Sequence, residues 1–330
     1  MKVVITGGAG FIGRKLATSL LEKNSLDLGG GKSGAVDKVT VFDVGEPDPP
    51  FPPDPRLDVV TGDVSDIETI RKLITPDVDA VFHLAAVVSS GAEADFDLGM
   101  RVNLGGTRAV LDVCRELGTV PRVCFASSVA VFGGNVPDVI QDDTHLTPQT
   151  SYGAQKAMGE LMINDYSRKG FIDGRALRLP TIVARPGKPN KAASTFASSI
   201  IREPLQGDTT ICPVAPEQAM WLLSPRRVVD AFIRAAELPA EAWGPSRAVS
   251  IPGITHTVQE MVDALAAVAG KKVTERIKWQ PDADIQKIVS GWPMHFAAER
   301  GKALGFSADS SMEEIVRAFI EDELDGSFVE

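Results

Sequence analysis

Short apolar and β-branched runs alternate with helix-period stretches through the first half of the chain. Residues 3–6, 39–43, 57–62, 80–84 and 123–127 are runs of four to six residues dominated by Val, Ile, Leu, Phe and Ala, and they read as buried strands. Residues 14–22, 65–74, 100–117 and 151–168 carry apolar positions at helical spacing. Ser65 and Glu68 have the spacing of a capping box for the second of these helices. Strands separated by helices imply a parallel sheet covered on both faces.

The first strand runs directly into glycine. Gly8, Gly10 and Gly13 satisfy G-x-G-x-x-G, and Gly7, Gly10 and Gly13 satisfy the looser G-x-x-G-x-x-G. Strand, glycine turn and helix in that order suit a dinucleotide pyrophosphate: a turn without Cβ atoms lets the backbone approach the phosphates, and the positive helix end meets their charge. The pattern therefore predicts an α/β fold, a Rossmann-type doubly wound parallel sheet with a smaller C-terminal substrate lobe. The cofactor-binding domain is expected over residues 1–180 and the substrate lobe mainly over 181–330, with the chain free to cross back.

Two insertions interrupt the alternation. Residues 24–38 contain a glycine-rich loop, and residues 47–55 carry six prolines; both are expected as surface decoration, the second stiff and partly polyproline. Beyond residue 180 the alternation weakens. A Pro/Gly/basic loop spans 185–191, and helices are predicted at 192–201, 258–269 and 312–324.

Composition narrows the function classes. No run of about 18 apolar residues is present, so no membrane span is expected, and the early glycines interrupt any signal-peptide core. The net charge of −10 argues against a nucleic-acid partner. Cys114, Cys124 and Cys212 have no C-x-x-C spacing and suit reduced, buried thiols of a cytoplasmic protein. The four histidines are scattered, and no metal site is expected.

Asp43 ends the second strand, where an acidic residue accepts hydrogen bonds from the adenosine ribose. Val44 and Gly45 follow with no basic residue for a 2′-phosphate, which favours NAD over NADP. Asp63 and Val64, at the next strand end, are placed to meet the adenine. The catalytic signal is Tyr152-Gly-Ala-Gln-Lys156, whose i and i+4 side chains share one helix face. A free phenol, with a pKa of about 10, is a poor base at neutral pH. A neighbouring ammonium and a cationic nicotinamide are expected to pull it down. Ser127 and Ser128 end a strand at the carboxyl edge of the sheet, where a hydroxyl can hold a substrate oxygen.

With these residues in hand, the chain resembles the extended short-chain dehydrogenases/reductases. Residues 6–13, 62–64, 83–86, 103–107, 127–133, Tyr152 with Lys156, and 177–180 carry the resemblance. It implies Ser128 as the catalytic serine, Tyr152 as general acid/base, Lys156 as its partner and ribose ligand, and Asn103 as a support of the active-site helix. It further implies a cofactor path along Gly7, Gly10, Phe11, Ile12, Gly13, Leu84, Ala85, Ala86, Pro180 and Ile182. Phe132 stands where many members have tyrosine, which costs a hydroxyl and no catalytic group. A possible homodimer through the helices at 100–117 and 151–168 is implied by similarity alone.

Residues 87–103 and 178–194 are similar to a branch of that family that oxidises the C2 hydroxyl of a four-carbon sugar acid to a 2-oxo acid with NAD. A small anionic sugar acid needs a cation or several donors. Arg185, Lys188, Asn190 and Lys191 offer charge and amide donors, and Ser89 and Ser90 offer hydroxyls; which of them holds the carboxylate stays open. A nucleotide-sugar epimerase or dehydratase on the same scaffold is the competing reading. Met220 stands where such enzymes often carry a diphosphate-binding arginine, although Arg226 or Arg227 could compensate. A non-catalytic NAD(P)-sensing protein is the remaining reading, and the intact Tyr152 and Lys156 count against it.

Overall fold

The computed structural model describes residues 1–29, 32–187 and 193–330. Its centre is a seven-stranded sheet in the order Ala248–Ser250, Asp173–Leu179, Arg122–Ser128, Ala80–His83, Lys2–Thr6, Lys38–Asp43, Leu57–Thr61, with every neighbouring pair parallel. The chain starts in the middle, adds two strands on one side, then crosses back over Lys2–Thr6 to build the other side. That reversal opens a crevice at the carboxyl end of Lys2–Thr6, between the strands ending in Asp43 and His83. The strands read as continuous apolar runs because both faces are covered: one core contains Ile5, Leu16, Val41 and Phe82, and the other Val4, Phe42, Val81 and Phe125.

A third core, with Ile200, Leu222, Met261, Leu265, Ile315 and Phe319, organises the C-terminal half. It surrounds a three-stranded sheet of Thr181–Ile182, Ala219–Leu223 and Ile254–Thr257. The chain does cross back: the helix Pro225–Glu237 packs on Phe11–Lys23, and Ala248–Ser250 joins the edge of the large sheet. Among the described residues no helix is long and apolar enough to cross a membrane, and all three cysteines are buried and free.

Three sequence expectations are corrected. The capping box at Ser65 does not form. Asp66 caps the helix Ile67–Leu73 by accepting from Glu68 N, and Ser65 is held by Asp63, which accepts from its amide at 2.8 Å and its hydroxyl at 2.6 Å. Asp66 stands directly before Ile67, in the N-cap position, while Ser65 is one residue further out. The insertion at 24–38 is not mere surface decoration: Ser25–Asp27 pairs antiparallel with Ser33–Ala35, and Leu26, Leu28 and Val36 are buried in the main core. The helix expected at 100–117 is two kinds of helix, π-helical turns over Met100–Gly106 followed by α-helix over Thr107–Leu117. The proline loop has no regular structure and is tied back by Arg14, which donates to Pro49 O at 2.6 Å and sits 4.5 Å over the Phe51 ring.

Candidate active site

The crevice is built first by the glycine turn. Gly7 adopts φ +71°, and a Cβ there would lie 2.6 Å from Ala85 N and 2.8 Å from Leu84 C. The segment Leu84–Ala86 therefore packs directly on the turn. Gly10 precedes the helix Phe11–Lys23 and offers no side-chain cap, and the first turn carries no acidic residue. Its leading amides and positive end are left for an anion. A Cβ on Gly13 would meet Gly7 O and come within 2.5 Å of Gly8 Cα. Gly13→Ala is accordingly expected to spread the turn and abolish measurable NAD binding in a calorimetric titration, while unliganded protein remains folded. Undiminished binding would mean that the turn does not hold the phosphates.

Asp43 sits beside this turn and accepts from Ala9 N at 3.0 Å and Val44 N at 2.7 Å. Asp63 is committed locally: it accepts from Ser65 and pairs with Arg101, which also donates to Ser65 Oγ at 2.8 Å. These partners hold its carboxyl below the usual range against the opposing effect of burial. Val64 is buried against Gly106, where a Cβ would lie 2.7 Å from its Cγ1. The turn, the uncapped helix end and the acid beside it fit a dinucleotide.

The catalytic helix Ser151–Arg168 forms as the sequence predicts, with Thr150 accepting from Gly153 N at 3.1 Å. Gly153 lets its first turn lie on the backbone carbonyl of Ala130, just beyond the serine strand. Ser128 Oγ accepts from Ala130 N at 3.1 Å, and its hydroxyl lies near enough to the Tyr152 phenol to favour the ionised form. Lys156 Nζ lies 5.5 Å from the centre of the Tyr152 ring. Among the described residues it pairs with no carboxylate.

The side chains alone do not lower the Tyr152 phenol. Burial pushes it up to about 12, while the Ser128 hydroxyl and the Arg185 charge act the other way. Burial pushes Lys156 down to about 7. A low-dielectric cleft disfavours the charged form of both groups, and the lysine charge does not outweigh that.

Asn103 lies in the π-helical turns. Its Oδ1 accepts from Val87 N at 2.7 Å, and its Nδ2 donates to Val87 O at 3.0 Å and Gln155 Oε1 at 2.7 Å. It thus clamps the loop after His83 to the residue preceding Lys156. Gln155 was not among the sequence candidates; its place inside Tyr-x-x-x-Lys is the only local signal. Two more members were also missed as partners. Glu160, one turn beyond Lys156, accepts from Ser127 Oγ at 2.5 Å and from Arg178 Nη2 at 2.8 Å.

Arg185 is brought to the site. Its charge acts on Tyr152, and it donates to Ser198 Oγ from its backbone at 3.1 Å and to Ser194 Oγ from Nη2 at 3.3 Å. Burial, and then the nearby Arg202, lower its guanidinium pKa. Pro180 is buried and Ile182 half-buried on the strand beside Leu223. Ser89 and Ser90 start the short helix Ser89–Ala94, with Ser89 exposed. Lys188, Asn190 and Lys191 lie outside the described residues.

The nucleotide-sugar features do not assemble. Met220 is buried in the C-terminal core. Arg226 pairs with Glu321 and Asp322, and Arg227 with Asp230 and Glu314.

Residues 3–249 match the NAD dependent epimerase/dehydratase family. The chain is 56% identical over 322 residues to the D-erythronate dehydrogenase of Cupriavidus necator, covering 98% of each. It is 46% identical over 321 residues to that of Haemophilus influenzae, covering 97% of this chain and 99% of the relative. Among solved structures, the nucleoside-diphosphate-sugar epimerase from Agrobacterium tumefaciens superposes with a TM-score of 0.93 at 46% identity, over 99% of this chain and 95% of that one.

Proposed function

Because the chain belongs to the NAD dependent epimerase/dehydratase family, as an extended short-chain dehydrogenase/reductase, we propose that it oxidises the C2 hydroxyl of D-erythronate to the 2-oxo acid with NAD. The observation that carries this reading is the convergence of Ser128, Lys156 and Arg185 on Tyr152. Ser128 holds the C2 oxygen. Tyr152, once its own proton has been released to solvent, takes the C2 hydroxyl proton as phenolate and returns to neutral phenol, while the C2 hydride would pass to the bound cofactor. Arg185 holds the carboxylate, since it is a cation within electrostatic reach of Tyr152 and has no carboxylate partner among the described residues.

Gly7, Gly10 and Gly13 hold the pyrophosphate and Asp43 the adenosine ribose. An acid at that position disfavours a 2′-phosphate, so NAD is preferred to NADP. When bound, the cofactor supplies the hydride acceptor and a positive ring. Positive charge on this side of the cleft opposes the burial that holds Tyr152 neutral, so substrate oxidation and phenol ionisation are coupled.

The test is NADH formation with D-erythronate against longer sugar acids, run in parallel with NADP. Rapid NADH formation with D-erythronate supports the reading. Epimerisation of a nucleotide sugar without net reduction of cofactor would replace it, and the burial of Met220 with the pairing of Arg226 and Arg227 speaks against that outcome. Arg185→Met is expected to raise KM for the sugar acid about 10- to 100-fold, the worth of a hydrogen bond to a charged group. A KM unchanged in this variant would move the carboxylate site elsewhere.

A further inference from the structure

We propose that Phe125 is a positioning residue for Lys156: its ring fills a place left by Gly159 and gives the amine a π face where a carboxylate would otherwise stand. The inference rests on the assignment of Tyr152 and Lys156 as the proton-transfer pair.

Lys156 Nζ lies 4.7 Å from the centre of the Phe125 ring, closer than its 5.5 Å to Tyr152. The ring reaches the catalytic helix because position 159 is glycine: a Cβ there would lie 2.7 Å from Phe125 Cζ and 3.0 Å from Cε1. A mid-helix glycine costs helix stability, and here the space it leaves is occupied by this ring. The Phe125 ring also stacks with His83, centres 5.7 Å apart at 28°. Ammonium, phenyl ring and imidazole thus form one buried column across the sheet.

The column requires a neutral imidazole, and the hydrogen bonds supply one. Thr107 Oγ1 donates to Asn103 O at 2.6 Å, so it accepts from His83 Nε2 at 3.0 Å. His83 Nδ1 then accepts from Thr6 Oγ1 at 2.7 Å. Burial, followed by the Lys156 charge, keeps this histidine from protonating. The other charged or titratable groups on the packed elements are spoken for. Glu160 is taken by Arg178 and Ser127, and Tyr152 is neutral under Ser128. Arg185 shares the Tyr152 side of the cleft and can only repel the ammonium. The Phe125 face is the nearer of two attractive ring faces, the Tyr152 ring being the other, and attraction of a cation to a ring face is strongest where water is excluded.

The experiment measures Lys156 itself in the unliganded full chain. Competitive acetic-anhydride labelling across pH, read by mass spectrometry of the Lys156 peptide with surface lysines as reference, gives its titration midpoint. Phe125→Leu, which keeps apolar bulk and removes the π face, is expected to lower that midpoint by about half to one pH unit. It should also lower kcat for sugar-acid oxidation about three- to thirtyfold. Gly159→Ala displaces the ring by its Cβ and is expected to shift the midpoint in the same direction, by less. An unmoved midpoint in both folded variants, or a fall in kcat without any midpoint shift, overturns the proposal and leaves Phe125 as packing alone. A shifted midpoint in a protein that forms no NADH with any sugar acid would uphold the column and sink the assigned reaction.

Discussion

Tyr152→Phe is expected to reduce kcat about 10²- to 10⁴-fold, the range that a positioned general acid/base contributes, with NAD affinity nearly unchanged. The substitution removes one oxygen. The ring remains on the helix Ser151–Arg168, one helical turn from Lys156, and the glycine turn and Asp43 are untouched. What disappears is the hydroxyl beside Ser128 and the only phenol in the cleft, since Tyr166, the second of the chain's two tyrosines, donates to Asp112 at 2.7 Å elsewhere on that helix. Steady-state NADH formation and calorimetric titration with NAD separate the two effects. Turnover near the parent level would refute Tyr152 as the proton acceptor, and loss of both turnover and NAD binding would point to a disturbed fold.

The parts of this site that were legible in the sequence are those encoded by neighbours in the chain. The glycine turn is read from a strand, three glycines and a helix within 23 residues, and Tyr152 and Lys156 share a face because the helix repeat places them there. The boundaries of the catalytic helix were readable for the same reason. Misreadings arose where two local signals competed or where distant chain decided. Ser65 and Asp66 could each cap the following helix, and the carboxylate prevailed. The π-helical turns at Met100–Gly106 are set by what packs on them: a Cβ on Gly99 would meet Gln155 Nε2 at 2.7 Å, and one on Gly106 would meet Val64. Neither contact leaves a mark in the local pattern.

The energetics of the phenol are only half legible in the sequence. Two opposed contributions act on Tyr152, a positive neighbourhood and loss of water, and spacing reports only the first. Gln155 and Glu160 were hidden because each is paired through space rather than along the chain. Gln155 meets Asn103 over 52 residues, and Glu160 meets Ser127 over 33. The sequence alone could mark Glu160 and Arg178 as charged residues within apolar surroundings, but not as a pair.

That pair carries the second large effect. Glu160 and Arg178 are both buried, and the guanidinium donates from Nε at 2.9 and 3.1 Å and from Nη2 at 2.8 Å to the carboxylate. The same carboxylate accepts from Ser127, the residue before Ser128, and the guanidinium lies 5.1 Å over the Phe132 ring. The pair therefore ties the catalytic helix to the strand Asp173–Leu179 and to the end of the serine strand. Glu160→Met would leave the arginine charge buried without a counter-ion, at a cost of about 3–5 kcal/mol in unfolding free energy. The double variant Glu160→Met with Arg178→Met removes both charges and is expected to be more stable than the single one, because the desolvation of the pair is then no longer opposed to folding. Ser128 should remain less well held in both, so kcat would stay depressed even where stability returns. Denaturant unfolding of the three proteins alongside their turnover checks this. A single variant as stable as the parent, or a double variant that regains full kcat, would show that the ion pair does not position the serine.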